Sequence, residues 1–455
     1  MRNHVLRKGY DIKLAGKAVG TVSGAAKSSL VAIQPHEFRG IRPKLSIETG
    51  QAVKIGSELF VSKENPTMRF LSPASGLVKE IRRGEGRKLL EIIIESDDKE
   101  DYESFRKHSP DEIRNLERRE ILDELLNGGL WPYFRERPFS RIADPERKAR
   151  DIFVSAFDSA PLAPDYQLLL EGNKEYFEFG MMLVSRLTDG KVYLAVKDGE
   201  DAANQFDLNH DNIEIHSFKG AHPSGNISVH IHHIAPINAG EVLWYLYAQH
   251  VALLGKFFLE GKYPVERLVA VAGSSVKTEK RQYYKTRLGS EISSLLGPDD
   301  LVDKDVRYIC GNVLSGFEIK ESGYMGFYSN LLTVIPESEE RRFLGWMAPG
   351  IDQESFSWSF LSKLIPRKEY IKDTRLHGGV RAFIQTGDYE KVLPMDILPM
   401  HLVKSIMAED VEEMEALGLL ECDEEDFALC SYICPSKIDF GYYIRQGLSL
   451  LESEG

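Results

Sequence analysis

Short apolar runs separated by glycine-containing turns dominate the chain from residue 40 to residue 96. Short apolar runs bounded by turn residues are typical of β-strands, and glycine adopts the positive φ that tight turns between strands require. The turns of this region contain Gly50, Gly56 and Gly76. The pattern therefore predicts a β-rich module with strands at residues 53–55, 59–61, 69–71, 77–81 and 89–94.

The middle of the chain alternates between helix-like and strand-like patterns. Apolar residues recur at helical spacing in 118–126, which ends at Gly128 and Gly129, and in 175–186 and 241–258. Apolar runs rich in β-branched residues predict strands at 152–156, 192–196, 213–218 and 229–234. Such alternation predicts an α/β domain with a largely parallel sheet.

The pattern changes twice more towards the end of the chain. Strand-like runs at 267–272 and 307–310 flank a helix-like run at 292–296, which predicts a small α+β module. From residue 354 onwards the pattern predicts mainly helices. Together these changes divide the chain into four units, at residues 1–105, 106–262, 263–340 and 341–455.

The chain is acidic, with 57 basic residues against 70 acidic ones and a net charge of −13. Such a surface repels nucleic acid. It would suit the basic cytoplasmic loops of a membrane protein, and it fits equally well an acidic protein that its charge keeps in solution. The run closest to a membrane span, residues 242–258, is interrupted by Gln249, His250 and Lys256, so we expect no direct span. Four cysteines in 455 residues argue against a disulfide framework.

Eight short motifs occur in an order that resembles one known family along nearly the whole chain. They are KGYDI (8–12), IRP (41–43), LSPASG (71–76), GLW (129–131), RERPFS (135–140), GAHPSG (220–225), PMDILP (394–399) and EED (424–426). Motifs in a fixed order are far more specific than any one of them. The chain resembles the A subunit of the sodium-translocating NADH:quinone reductase.

The resemblance implies a multidomain α/β and α+β fold. Its units would be a biotinyl- or lipoyl-like barrel-sandwich, a Rossmann-like domain related to the flavin subunit of complex I, a β-grasp-like SLBB module and a helical domain derived from an iron–sulfur domain. In biotinyl carriers the modified lysine adjoins methionine. Here Met68 lies between Thr67 and Arg69, so no swinging cofactor arm is expected, and a carrier protein is the least favoured hypothesis.

The resemblance also implies partners and a place in the cell. The family's complex oxidises NADH, reduces ubiquinone and exports Na⁺, with FAD, FMN, riboflavin and iron–sulfur carried by other subunits. This subunit would be peripheral, on the cytoplasmic side of the bacterial inner membrane, against the membrane subunits. We expect a scaffold with a contact to ubiquinone, and no catalysis by the isolated chain.

The related Rnf subunits bind [4Fe–4S] clusters through two repeated cysteine motifs. Two of the eight matching positions here retain a thiol. These positions are Phe383, Thr386, Tyr389, Leu393, Glu424, Phe427, Cys430 and Cys434. Because phenylalanine and leucine cannot bind iron and a carboxylate is a poor substitute for a thiolate, we expect neither clusters nor a metal. The acidic run at 424–426 is expected to be a solvated helix face or a partner contact.

Flavin-binding relatives hold the FMN phosphate with the backbone amides of a glycine-rich loop. The matching loop begins with Gly128 and Gly129 but continues with Trp131 and Pro132. The indole takes up space that a phosphate loop leaves open, and proline has no N–H to donate. We therefore expect no cofactor in this chain. The competing hypothesis is a flavin-binding NADH dehydrogenase subunit of the complex I or Rnf type.

Aromatic and histidine side chains form a candidate ubiquinone contact, since a quinone needs an apolar lining and hydrogen-bond donors for its carbonyls. The candidate residues are Trp131, Tyr133, Phe134, His222, His230 and His232. On a strand, His230 and His232 would share one face. Hydrogen-bonded structural histidines and a metal-binding pair are the alternatives that the sequence leaves open.

Overall fold

The structure is a computed structural model that describes residues 2–97, 99–199, 208, 210–338, 347, 349–357, 359–364, 368–384 and 386–454. In this part of the chain the strands are β1 (Arg2–Val5), β2 (Val22–Gly24), β3 (Leu30–Ile33), β4 (Pro43–Leu45), β5 (Ala52–Val53), β6 (Glu58–Ser62), β7 (Arg69–Leu71), β8 (Gly76–Arg83), β9 (Leu89–Ser96), β10 (Arg135–Arg137), β11 (Arg141–Ile142), β12 (Ile152–Ser155), β13 (Val192–Lys197), β14 (Ile213–Lys219), β15 (Leu243–Tyr247), β16 (Glu266–Ala272), β17 (Tyr283–Arg287), β18 (Val306–Cys310), β19 (Phe317–Ile319) and β20 (Leu331–Pro336).

The α-helices of the same residues are α1 (Pro110–Ile113), α2 (Arg118–Asn127), α3 (Tyr166–Leu170), α4 (Lys174–Ser185), α5 (Ile227–Ile234), α6 (Ala248–Glu260), α7 (Tyr389–Val392), α8 (Pro399–Met407), α9 (Val411–Ala416), α10 (Ala428–Ile433) and α11 (Phe440–Glu454). Short 3₁₀ helices occur at Pro35–Glu37, Glu85–Arg87, Trp131–Tyr133, Thr278–Lys280, Ile292–Ser294, Pro298–Asp300, Leu361–Lys363, Leu419–Glu421 and Glu424–Phe427. No helix among the described residues combines the length and the apolar character needed to cross a bilayer.

The N-terminal module is a barrel-sandwich of two small antiparallel sheets, with strand orders β3-β9-β8-β5 and β4-β6-β7. The rings of Phe60 and Phe70, on the paired strands β6 and β7, stack with centroids 4.3 Å apart, and Phe38 packs 4.5 Å from Phe70. Strands occur at all five predicted places, and the buried side chains of β6 and β9 contribute to the hydrophobic core.

The second sheet has seven strands in the order β1-β14-β13-β12-β15-β10-β11. The first five are parallel, and β10 and β11 are antiparallel additions at one edge. The predicted largely parallel sheet is confirmed. Helices α4 and α6 cross at two glycines: a Cβ on Gly180 would come within 2.0 Å of the Val251 carbonyl oxygen, and one on Gly255 within 1.9 Å of that of Tyr176.

Two predicted elements of this domain are wrong. Residues 241–258 form a strand, Leu243–Tyr247, followed by the helix Ala248–Glu260, and not one long helix. The strand lies inside the sheet and is buried on both faces. Its side chains therefore do not alternate between apolar and polar, and its sequence looks like that of a buried helix. The segment 229–234, predicted as a strand, belongs to the helix Ile227–Ile234, which packs against β12.

The first residues of the chain contribute to sheets other than the barrel-sandwich. Strand β1 pairs in parallel with β14, with Arg2 opposite His216, and β2 pairs in parallel with β17. The chain start therefore links three of the four predicted units. The limits proposed for those units remain a prediction.

The third sheet has six strands in the order β19-β18-β20-β16-β17-β2, which confirms the strands predicted at 267–272 and 307–310. The helical prediction from residue 354 onwards is wrong for its first part. Between residues 354 and 388 the described chain contains only the 3₁₀ turn Leu361–Lys363 as helix, and the C-terminal helices begin at Tyr389.

Candidate functional site

The carboxyl ends of the parallel strands β12 and β15 meet at one edge of the seven-stranded sheet, where Ser155 lies opposite Tyr247. Asp158 follows β12, and its carboxylate accepts a hydrogen bond of 2.7 Å from the Ala160 amide. Burial raises the pKa of the Asp158 carboxyl, and burial together with the nearby Glu425 raises that of the Tyr247 hydroxyl. This edge therefore disfavours negative charge.

An acidic turn of the C-terminal domain, formed by Asp423, Glu425 and Asp426, lies against the α/β domain at this edge. The Ser140 hydroxyl donates to Asp423 at 2.6 Å, and the Asn226 amide donates to Asp426 at 3.0 Å. Both aspartates are buried. The expected solvated face is therefore wrong for Asp426, because donors from the other domain replace water around its carboxylate.

Arg137 is the cation at the centre of this interdomain contact, and only 1% of the residue is exposed. Its Nη1 donates to the Cys422 carbonyl at 3.2 Å, and its Nη2 lies 3.3 Å from Asp423 and 3.9 Å from Glu425. The guanidinium also lies 5.1 Å from the centroid of the Tyr245 ring. A buried charge requires such partners. In the sequence Arg137 stands out only as part of a motif, because nothing in its pattern marks an arginine as buried.

The three carboxyls of the acidic turn differ in their preference for a proton. Burial raises the pKa of Glu425 to about 8, and the neighbouring Asp426 and Asp423 add to this effect. Burial likewise raises the pKa of Asp426, although Arg137 opposes it. For Asp423 the cost of burial is outweighed by Arg137 and Arg445, which hold its pKa below the usual value. The turn thus combines Asp423, whose carboxyl is easily ionised, with Glu425 and Asp426, whose carboxyls favour the protonated form.

The three candidate histidines do not converge on one ligand. His230 and His232 lie on helix α5, where a separation of two residues points side chains in nearly opposite directions. His230 Nε2 lies 2.9 Å from the Ser224 carbonyl oxygen, and burial lowers its pKa to about 3. His232 accepts from the Asp396 amide at 3.1 Å and lies 2.7 Å from Glu421. The idea that both share one strand face is wrong.

His222 lies in the turn after strand β14, next to the carboxyl edge of the sheet. Its Nδ1 is 3.0 Å from the Ser159 hydroxyl, which itself accepts a hydrogen bond from the Gly225 amide at 2.8 Å. In the tautomer in which Ser159 donates to Nδ1, the proton of His222 resides on Nε2. Burial lowers the pKa of His222 to about 4, so the ring is neutral near pH 7.

The aromatic candidates are part of the core. Trp131, Tyr133 and Phe134 are buried; the indole stacks on Phe134 with centroids 4.7 Å apart and donates to the Ala143 carbonyl at 2.7 Å. The Tyr133 ring stacks on His250 at 4.5 Å. Their faces are therefore covered by other side chains. Among the described residues no group of three or more His, Cys, Asp or Glu is placed to hold a metal ion.

Comparison with known proteins agrees with this architecture. Three family models match successive parts of the chain: the NqrA N-terminal barrel-sandwich hybrid domain (residues 5–97), the NqrA second alpha/beta domain (116–263) and the NQRA C-terminal domain (268–321). The A subunit of the Na(+)-translocating NADH-quinone reductase of Yersinia pseudotuberculosis is 37% identical over 99% of both chains. Those of Neisseria meningitidis and Psychromonas ingrahamii are 36% and 38% identical, with the same coverage.

This chain belongs to the family of A subunits of the Na⁺-translocating NADH-quinone reductase. Among solved structures, a chain of an NAD⁺-reducing [NiFe]-hydrogenase matches with a TM-score of 0.38 at 12% identity, covering 76% of this chain and 61% of the other. That likeness is too distant to support a shared site.

The loop at residues 128–134, predicted to correspond to an FMN phosphate loop, uses five of its backbone amides in hydrogen bonds within the protein. The amides of Gly128, Gly129 and Leu130 donate to carbonyls of helix α2, and those of Tyr133 and Phe134 donate within the loop. A phosphate cradle needs amides that point outward. These five amides already donate to backbone carbonyls of the protein, so they are not free to bind a phosphate.

Six of the eight residues predicted to stand at former cluster positions pack in the C-terminal core, and Thr386 and Glu424 do not. Phe383, Tyr389, Phe427 and the two thiols pack in the C-terminal core, three of them around the Phe440 ring, with centroids 5.4 Å (Phe383), 4.8 Å (Tyr389) and 6.4 Å (Phe427) away. Leu393 is also buried, and Thr386 is partly exposed. Glu424 instead binds Arg39 at 2.7 Å and Arg445 at 2.5 Å.

Proposed function

We propose that this chain is a cofactor-free scaffold subunit of the sodium-pumping NADH:ubiquinone oxidoreductase, peripheral and on the cytoplasmic side of the bacterial inner membrane. In this complex the electrons pass through flavins and iron–sulfur bound by other subunits, and ubiquinone is reduced to ubiquinol with export of Na⁺. The chain itself contributes no redox group. Its partners are the other subunits of the complex, chiefly the membrane subunits.

The packed core around Phe440 is the observation that carries the proposal. Side chains of phenylalanine, tyrosine and leucine take up the volume in which an iron–sulfur relative would need inorganic sulfur and thiolates. The remaining thiols of Cys430 and Cys434 are buried within the same core. An electron carrier cannot be built there without removing the packing that holds the domain together.

Absorption spectroscopy and co-purification test this proposal together. The purified chain should show no flavin or iron–sulfur absorption and no NADH oxidation, and tagged chain should recover flavin-bearing membrane subunits from detergent-solubilised membranes. A yellow protein that oxidises NADH would instead establish the flavin-binding dehydrogenase of the complex I or Rnf type. Failure to recover membrane subunits would overturn the scaffold role.

Contact with ubiquinone is a second proposal, and His222 supports it better than the aromatic residues do. The ring is neutral near pH 7, and in the tautomer in which Ser159 donates to Nδ1 its proton lies on Nε2, where it can be donated to a quinone carbonyl. Trp131, Tyr133 and Phe134 would have to leave their stacked positions to contact a quinone. A photoreactive ubiquinone analogue should label the wild-type complex near His222. Labelling should be weaker in the His222→Ala variant and should equal that of the wild type in the His232→Ala variant. Equal labelling of all three proteins would refute the role of His222.

A further inference from the structure

The irregular segment between residues 370 and 384 exposes large apolar side chains. Ile371, Leu376, Val380 and Ile384 are between 43% and 84% exposed. Isolated exposed apolar residues are ordinary on a protein surface, but a series of them along one short segment marks a contact surface. The chemistry of its surroundings indicates which partner this surface meets.

The segment is held in place along its inner side. The Tyr370 amide donates to the Lys13 carbonyl at 2.7 Å, and the Ala15 amide donates to the Tyr370 carbonyl at 2.9 Å. Further along, the Ser436 hydroxyl donates to the Ala382 carbonyl at 2.9 Å. Tyr370 is buried while its neighbour Ile371 is exposed. The apolar side chains therefore project from a fixed backbone, and the surface exists before any partner binds.

The charge of this region is opposite to that of the rest of the chain. Residues 361–384 contain six basic residues and two acidic ones, a net charge of +4, whereas the remaining chain carries −17. Two of the basic side chains are already paired, Lys372 with Glu354 and Arg375 with Asp373. The side chains of Lys368 and Arg381 are exposed and can meet a partner.

The exposed face of helix α8 extends this surface. Lys404 is exposed, and its ammonium lies 6.0 Å from the centroid of the Phe383 ring. Phe383 directly precedes Ile384 in the chain. Met407, three residues further along the helix, is 42% exposed. Both elements thus present exposed cations and exposed apolar side chains. We call this surface the basic strip; it consists of Lys368, Ile371, Leu376, Val380, Arg381, Ile384, Lys404 and Met407.

We propose that the basic strip binds the anionic headgroup surface of a lipid bilayer, with its apolar side chains inserted at the level of the headgroups. The proposal rests on the peripheral placement given under the proposed function. Mixed basic and apolar side chains are the chemistry that such surfaces recognise. Cytoplasmic loops of membrane proteins are themselves rich in lysine and arginine, so they would be repelled by the strip and suit the acidic remainder of the chain.

Vesicle flotation with the full chain tests the proposal. The wild type should float with vesicles containing phosphatidylglycerol and remain behind with vesicles of phosphatidylcholine alone. Because each surface cation adds about fivefold to membrane affinity, Arg381→Ala with Lys404→Ala should weaken binding about twenty-five-fold. Leu376→Ser with Val380→Ser should weaken it about tenfold, because the inserted apolar area is lost.

Matched controls come from exposed residues elsewhere: Lys54→Ala with Lys88→Ala for the charges, and Val19→Ser with Val302→Ser for the apolar side chains. These variants should bind as the wild type does. Equal binding to neutral and anionic vesicles would overturn the proposal. So would variants of the strip that bind vesicles normally but no longer recover membrane subunits, since the strip would then be a protein contact. If the tagged wild type itself recovered no membrane subunits, the scaffold role would be refuted instead.

Discussion

The Tyr389 hydroxyl and the Cys434 thiol lie 3.2 Å apart in the core of the C-terminal domain, at two of the positions that the sequence predicts to correspond to cluster cysteines. Cys430 adds a longer contact to the Tyr389 carbonyl oxygen at 3.9 Å. The phenol and the thiol lie within hydrogen-bonding distance of each other. The tyrosine ring and the thiol are both part of the hydrophobic core.

Phe440→Ala should remove the centre of this core. The buried ring contacts Phe383, Tyr389 and Phe427, and truncation of such a ring leaves a cavity that costs about 3–5 kcal/mol. Tyr442→Ala, on the same helix but 54% exposed, should change the free energy of unfolding by less than about 0.5 kcal/mol. Chemical denaturation of both variants measures the difference. A loss below about 1 kcal/mol in Phe440→Ala would show that the core is not packed as described.

Arg137→Ala should weaken the contact between the α/β domain and the C-terminal domain. Removal of the guanidinium leaves the buried carboxylate of Asp423 without one of its two cations, which costs about 3–5 kcal/mol. Arg119→Ala, whose side chain is 89% exposed, should cost no more than about 1 kcal/mol. Limited proteolysis of the C-terminal domain provides the readout, and identical cleavage rates in the two variants would contradict the role of Arg137.

Glu425 should make the stability of the chain depend on pH. Its folded pKa of about 8 lies above the usual 4.5, so its contribution is complete below pH 4.5 and is lost as the pH rises through 8. The unfolding free energy of the wild type should therefore fall by roughly 2–4 kcal/mol between pH 5 and pH 9 relative to Glu425→Gln. Glu412→Gln, at an exposed site, should retain the wild-type profile. Parallel profiles for wild type and Glu425→Gln would exclude this coupling.

The four thiols should be unreactive in the folded protein. Cys310, Cys422, Cys430 and Cys434 are all buried, and burial raises the pKa of Cys310 to about 12 and those of Cys422 and Cys430 in the same direction. Because only a thiolate attacks a disulfide reagent, native protein at pH 8 should react slowly. Addition of denaturant should release four equivalents. Rapid modification of the native chain would show that one of these cysteines is exposed.

The sequence alone determined the family and the order of the modules. Both conclusions depend on residue identity at fixed spacing, and the loss of cluster ligands at Phe383 and Leu393 stays a prediction from the same kind of pattern. The barrel-sandwich strands were equally predictable, because glycine-containing turns separate their short apolar runs. The central strand Leu243–Tyr247 was not predictable, because a strand buried on both faces loses its period.

Tertiary structure decided which polar residues act together. Helix α5 separates His230 from His232, and the carboxyl edge of the sheet brings Asp158 and Tyr247 to an acidic turn more than 170 residues away in the chain. Arg137 and Asp423 are far apart in the chain, and only the fold places the guanidinium 3.3 Å from the carboxylate. Burial sets the cost of each of these charges, and burial is a property of the folded chain, whereas the sequence states only which groups exist to be buried.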